Sequence, residues 1–214
     1  MPRNTRQAIM RSLVDHARSF ASTLVADPER ARRLRALEAG QSPEVLFISC
    51  ADSRVVPSLI TGAHPGELFE LRTAGNIVPE YRSRCPTGEA ATVEFAVAVL
   101  GVRDIVVCGH SHCGALGAVV RGDDLSAVPA VRGWLDHAVP PEAPARTVRP
   151  GPPDLAEVAQ RHAVAQLETL RAYPCVRERL DRGRLALHAW YYEVHTGLVG
   201  AHRPDGGALP FPPL

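Results

Sequence analysis

Two short apolar runs each lead directly into a block of metal-ligand residue types. Val45-Leu46-Phe47-Ile48 ends at Cys50-Ala51-Asp52-Ser53-Arg54, and Asp104-Ile105-Val106-Val107-Cys108 stops just before His110-Ser111-His112-Cys113. Runs of this length, rich in branched residues, read as buried strands. A strand that is apolar on both faces needs helices on both sides, so the two runs restrict the chain to a covered sheet. They also place both polar blocks where strands end and loops begin, the position at which open α/β sheets bind ligands.

The remaining segments agree with that frame. Asn4 or Thr5 is positioned to cap a first helix with Ile9, Leu13, Phe20 and Leu24 on one face. Asp27-Pro28 reads as a cap and first turn of a second, Arg-rich helix that Gly40 ends. Its Arg30, Arg32, Arg33 and Arg35 read as a solvated or subunit-facing surface before an anion site. Glu67 to Arg72 reads as a strand. A helix is predicted from about Thr87 to Leu100, with Ala91, Phe95, Ala98 and Val99 on its apolar side. Helices follow over Gly114 to Val120 and about Asp154 to Ala172, then a late strand over Arg184 to Trp190. Alternating strands and helices predict an α/β fold, a mostly parallel central sheet flanked by helices, with an N-terminal helical arm. Six prolines between Pro140 and Pro153 read as a loop within one domain, and the Pro- and Gly-rich tail from Ala201 as irregular.

Cys50, His110 and Cys113 supply two thiolates and one imidazole, a zinc-type set. Three protein ligands leave a fourth position for water or substrate, whereas structural sites usually close with four. His112 is the competing ligand, but its place beside Cys113 rarely lets both side chains reach one metal. Cys108 points away from its strand neighbours and reads as core. Cys85 and Cys175 read as incidental thiols. Asp52 and Arg54 would be a weak surface ion pair elsewhere. Beside a zinc ligand, a bidentate Arg54 keeps Asp52 ionised and fixed, able to orient the proton of a metal-bound hydroxide. The same carboxylate is also able to swing onto the zinc and close the site.

Composition excludes other chemistries. A net charge of +1 gives no electrostatic case for nucleic acid or membrane. All 24 basic residues are Arg, which removes Schiff-base and phosphate-loop lysines. Five cysteines, an odd number with no short secreted framework, point to reduced thiols and a cytoplasmic location. No secretory signal or membrane-length apolar run is visible.

The blocks Cys50 to Arg54, Pro65-Gly66-Glu67-Leu68-Phe69, Arg72-Thr73-Ala74-Gly75-Asn76 and Gly109 to Gly114 together resemble a β-class carbonic anhydrase. The likeness runs from about Gln41 to Val120 and resumes at His188 to Gly197. It implies one domain over residues 1–214 and one zinc ion per chain. It also implies reversible hydration of carbon dioxide to bicarbonate by zinc-bound hydroxide, with proton transfer limiting turnover. By position, Gln41 matches the glutamine that hydrogen-bonds substrate, Phe69 and Phe95 match the apolar wall, and Gly114 matches the backbone N–H that reaches a substrate oxygen. Tyr is common in the family where Phe95 stands, and for both phenylalanines ordinary core packing is the other reading. The resemblance further implies a homodimer, or a tetramer of dimers, in which residues 1–40 embrace the partner.

Two positions depart from the family. Ala115 stands where a second glycine is commoner. Phe47 replaces the Trp that, with residues matching Arg72 and Tyr192, binds inhibitory bicarbonate in some relatives, which argues against that inhibition here. The alternatives are hydrolysis of carbonyl sulfide or carbon disulfide on the same scaffold, and a non-catalytic zinc or bicarbonate module.

Overall fold

Alternating apolar strands and amphipathic helices build the sheet that the sequence predicts. A computed structural model describes residues 3–138, 154–204 and 211–214. The proline-rich segment from Pro140 to Pro153 lies outside the described residues, as do residues 205–210 of the tail. The chain divides into two units, Met1–Gln41 and Ser42–Leu214.

The N-terminal unit holds α1 (Arg3–Val25) and α2 (Pro28–Ala36). The first helix already contains Asn4 and Thr5, so neither is its cap. The second starts as predicted: Asp27 accepts a hydrogen bond from the Arg30 N–H at 3.0 Å, and Pro28 occupies the first turn. Ile9, Met10 and Leu13 of α1 are all exposed.

In the larger unit, β1 (Val45–Cys50) is flanked by parallel β2 (Leu68–Thr73) and β3 (Asp104–His110). β4 (Ala186–Tyr192) continues the sheet in parallel, and β5 (Val199–Ala201) closes it antiparallel. The order is β2-β1-β3-β4-β5. β5 and a bridge between Gly200 and Pro213 give the tail more order than its composition suggests.

Helix α7 (Leu155–Arg171) lies on β3 and β4, burying Ala163, Leu167 and Leu170 against Leu46, Ile48, Ile105 and Val107. Its cap is Asp154, which accepts from the Ala156 N–H at 3.0 Å. Gly109 permits the close approach: a Cβ there would lie 3.0 Å from the Ala159 carbonyl oxygen. The helix axis is thereby brought down onto the end of β3, beside the ligand blocks.

Helix α4 (Gly88–Glu94) starts at Thr87 as predicted and continues as a π-helical turn over Phe95–Leu100. Its buried face is a correction. Ala90, Val93, Ala96 and Val97 enter the core, whereas Ala91, Phe95, Ala98 and Val99 are exposed. Both faces are apolar, so periodicity alone does not choose between them. Shorter helices escaped the sequence reading: α3 (Pro57–Thr61), α6 (Pro129–Leu135) and α8 (Pro174–Asp181). Each begins with proline, the first-turn signal that would have found them. Helix α5 (Gly114–Arg121) follows the second ligand block as predicted.

Candidate metal centre

Adjacent parallel strands bring the two blocks together. Ser49 pairs with Cys108, so Cys50 at the end of β1 and His110 at the end of β3 are neighbours, and Cys113 immediately precedes α5. One ligand atom from each of Cys50, His110 and Cys113 lies within 4.8 Å of the other two, and all three residues are buried. Donors around one tetrahedral zinc, at bond lengths of about 2.0–2.3 Å, are spaced closely enough to fit this cluster with little movement.

His110 is pre-set for ligation. Its Nδ1 lies 2.9 Å from the Ser111 carbonyl oxygen. A carbonyl only accepts, so Nδ1 carries the proton and Nε2 presents a lone pair. That Nε2 is buried with no hydrogen-bond partner among the described residues. A buried bare acceptor beside two thiols is the arrangement a metal ion satisfies.

The Cys50 sulfur is supported as a thiolate. The neighbouring Cys113 thiol, then the backbone N–H groups of Asp52 and Gly75, pull its pKa well below the ordinary thiol range against the opposing effect of burial. The two N–H groups lie 3.4 and 3.3 Å from the sulfur. Cys113, as donor to Cys50 and buried, is pushed upward. A bound divalent cation displaces the remaining proton.

Asp52 and Arg54 form the predicted pair. Arg54 Nε donates to Asp52 Oδ1 at 2.9 Å and its Nη2 to Oδ2 at 2.7 Å. These bonds hold the Asp52 carboxyl well below the usual carboxylate range. Arg54 also donates to the His112 carbonyl at 3.0 Å, tying the first block to the second. His112 adopts a left-handed φ of 55° and is exposed, outside the ligand cluster. Cys108 is fully buried against Phe47 and Val106, as expected of core, and burial pushes its thiol up to about 12.

Arg72 supports the loop after Cys50. Its guanidinium donates to the carbonyls of Cys50, Asp52 and Val55, the last at 2.7 Å. The aromatic in line with it on β1, Phe47, packs edge-on against Trp190 at 5.8 Å.

Gly114 opens α5, where its N–H has no intrahelical acceptor and no neighbour crowds its Cα. Phe69 and Phe95 are brought to each other, with ring centroids 6.0 Å apart. Phe69 pairs with Leu46, four residues before Cys50, which is roughly 13 Å along the strand. Gln41 belongs to the N-terminal unit. A buried group with no place in the sequence reading is His162 of α7, whose Nε2 lies 2.9 Å from the Gly75 carbonyl oxygen. It stood in the helix as one more periodic position, and nothing local distinguished it.

A three-ligand thiolate–imidazole centre at the carboxyl ends of a parallel sheet, with an arginine-fixed carboxylate beside it, defines a catalytic zinc protein rather than a structural zinc module. Comparison with known proteins makes that class specific. A protein-family model described as carbonic anhydrase matches residues 45–199. A carbonic anhydrase of Pseudomonas aeruginosa is 48% identical, over 90% of this chain and 87% of that protein. Carbonic anhydrase 1 of Escherichia coli O157:H7 is 42% identical, over 96% and 92%. The β-carbonic anhydrase CcaA superposes with a TM-score of 0.84 at 36% identity, covering 96% of this chain and 92% of that one. A tetrameric β-carbonic anhydrase of Sordaria macrospora does so with 0.73 at 25% identity, over 95% and 99%. The chain belongs to the β-carbonic anhydrase family.

Proposed function

We infer that this chain catalyses the zinc-dependent, reversible hydration of carbon dioxide to bicarbonate and a proton, with Cys50, His110 and Cys113 holding one zinc ion. The observation that carries the reading is the buried, bare Nε2 of His110 in a cluster with two cysteine sulfurs. When bound, zinc supplies the Lewis acidity that makes water a nucleophile near neutral pH. The protein supplies the rest. Asp52, kept ionised by Arg54, accepts a hydrogen bond from the attacking water oxygen and leaves that oxygen's lone pair aimed at the carbon of the substrate. Arg54 holds the carboxylate in place and, through the His112 carbonyl, fixes its distance from the second ligand block. The Gly114 N–H meets the substrate oxygen on which negative charge develops. Gln41, in the N-terminal unit, takes the substrate hydrogen-bonding role of its family counterpart.

Phe69 and Phe95 are assigned to the apolar wall of a partner subunit's pocket. The distance of Phe69 from its own chain's ligands and the exposure of Phe95 at 43% support this, as does the apolar face of Ala91, Phe95, Ala98 and Val99 left in solvent. A homodimer, or a tetramer of dimers, covers that face, and residues 1–40 serve as the arm that embraces the partner. On this reading Phe95→Glu lowers oligomer mass in analytical ultracentrifugation and lowers turnover with it. A Phe95→Glu protein of parental mass overturns the assignment. None of the five cysteines is paired, and no described helix is long and apolar enough to cross a membrane. The unpaired cysteines support a cytoplasmic location.

The direct test is stopped-flow carbon dioxide hydration at neutral and mildly alkaline pH on protein whose zinc has been counted. Fast hydration with one zinc per chain is expected. Fully zinc-loaded protein inert at both pH values overturns the reading in favour of carbonyl sulfide hydrolysis or a non-catalytic role.

A further inference from the structure

A short hydrogen-bonded path links helix α7 to the metal centre. Gly75 lies in the turn after β2 with φ 76°, and its N–H points at the Cys50 sulfur, 3.3 Å away. The turn is pinned from above. His162 Nε2 lies 2.9 Å from the Gly75 carbonyl oxygen. One helical turn later, Gln166 Oε1 accepts from the Val78 N–H at 2.7 Å. Trp134 Nε1 donates to the Ala74 carbonyl at 2.8 Å. The space around Gly75 is tight: a Cβ there would lie 3.3 Å from the Ala115 Cβ.

The tautomer of His162 follows from its partner. A carbonyl accepts, so Nε2 carries the proton and donates. Nδ1 is buried with no hydrogen-bond partner among the described residues. Burial lowers the pKa of the ring to about 4, so it is a neutral single donor in the working range.

We propose that His162 is a positioning residue for the zinc ligand Cys50, acting through Gly75: its Nε2–H holds the Gly75 carbonyl and so keeps the Gly75 N–H on the Cys50 sulfur. The two bonds lie on different peptide groups either side of one Cα. The effect is therefore orientation of Gly75, not polarisation along a shared amide. An N–H directed at a thiolate withdraws electron density from the sulfur, which leaves a metal bound there more acidic. Releasing Gly75 makes the sulfur a stronger donor to the ion, and it leaves the unbound thiolate less stabilised against protonation.

This rests on Cys50 being a zinc ligand, and the test separates the two ideas. The protein is loaded with cobalt(II) in place of zinc, and its thiolate-to-metal charge-transfer absorption is recorded. Zinc affinity is measured in parallel by chelator competition. The parent is expected to show the thiolate band; a parent without one overturns the ligand assignment itself. His162→Leu is expected to shift the band to lower energy and to weaken zinc about 10-fold or more, within the usual range for outer-shell partners. The pH profile of hydration moves to higher pH in the zinc-loaded variant. His162→Gln, whose amide N–H comes near the position of Nε2, is expected to restore the parental band and affinity. Leu170→Ala removes a buried side chain from the same helix and loses stability, but leaves the band in place. If His162→Leu does not fold, His162→Asn, whose donor ends short of Gly75, makes the same comparison. A leucine or asparagine variant with the parental band and affinity overturns the proposal. So does a Leu170→Ala protein that shifts the band equally.

Discussion

Replacing Cys50 with Ser, or His110 with Ala, is expected to yield protein with essentially no bound zinc and no hydration above the uncatalysed rate. Cys50→Ser keeps the size of the group and the two N–H donors that face it. It exchanges a soft thiolate for a hydroxyl that stays protonated at working pH, and a protonated ligand does not hold zinc in a site of three. His110→Ala removes the nitrogen whose bare lone pair marks the centre. Both variants retain the core of Leu46, Ile48, Ile105 and Val107 packed under α7, so they are expected to fold. They lose only the part of their stability that zinc contributes by binding the native state. Zinc counted per chain, with stopped-flow hydration on the same samples, checks this. An active variant free of zinc would falsify the ligand set.

Asp52→Asn is expected to separate zinc binding from turnover. The substituted side chain is not in the ligand cluster, and the backbone N–H of residue 52 that faces the Cys50 sulfur is unaffected, so zinc stays. The carboxamide is neutral and offers Arg54 only one acceptor oxygen in place of two. It also no longer presents a charged acceptor to the attacking water. The loss in kcat is expected to be about 10²–10⁴-fold, the usual contribution of a positioned proton-handling group. Full zinc occupancy with parental turnover would remove Asp52 from the mechanism. Zinc lost along with activity would instead make it a ligand.

The polar blocks were legible because their signals are local. Cys50 and His110 each end an apolar run, and a run of that kind is a buried strand wherever it falls. Arg54 lies two residues from Asp52, close enough for the pair to be read from spacing. Caps such as Asp27 and Thr87 were legible for the same reason: the side chain and the N–H it accepts from are three residues apart. Three proline-led helices, α3, α6 and α8, carry an equally local signal in the proline that opens each.

Other features have no local signal. The face of α4 that packs inward was misread because Ala91, Phe95, Ala98 and Val99 are as apolar as the face that is buried. Burial there depends on where the sheet lies. Phe69 and Phe95 are separated by 26 positions and meet only because β2 and α4 pack side by side. His162 lies 112 positions from Cys50, and the link between them passes through Gly75, which is distant in sequence from His162.

The sequence by itself determined the parallel sheet, the three residues that cluster as a possible metal site and the Asp52–Arg54 pair, since these follow from residue type, strand period and short spacing. Only the tertiary structure decided which nitrogen of His110 is bare, which helix face enters the core, and which groups hold Cys50 as a thiolate. Those outcomes depend on hydrogen bonds and contacts between segments far apart in the chain, and no local pattern encodes a distance that only folding creates.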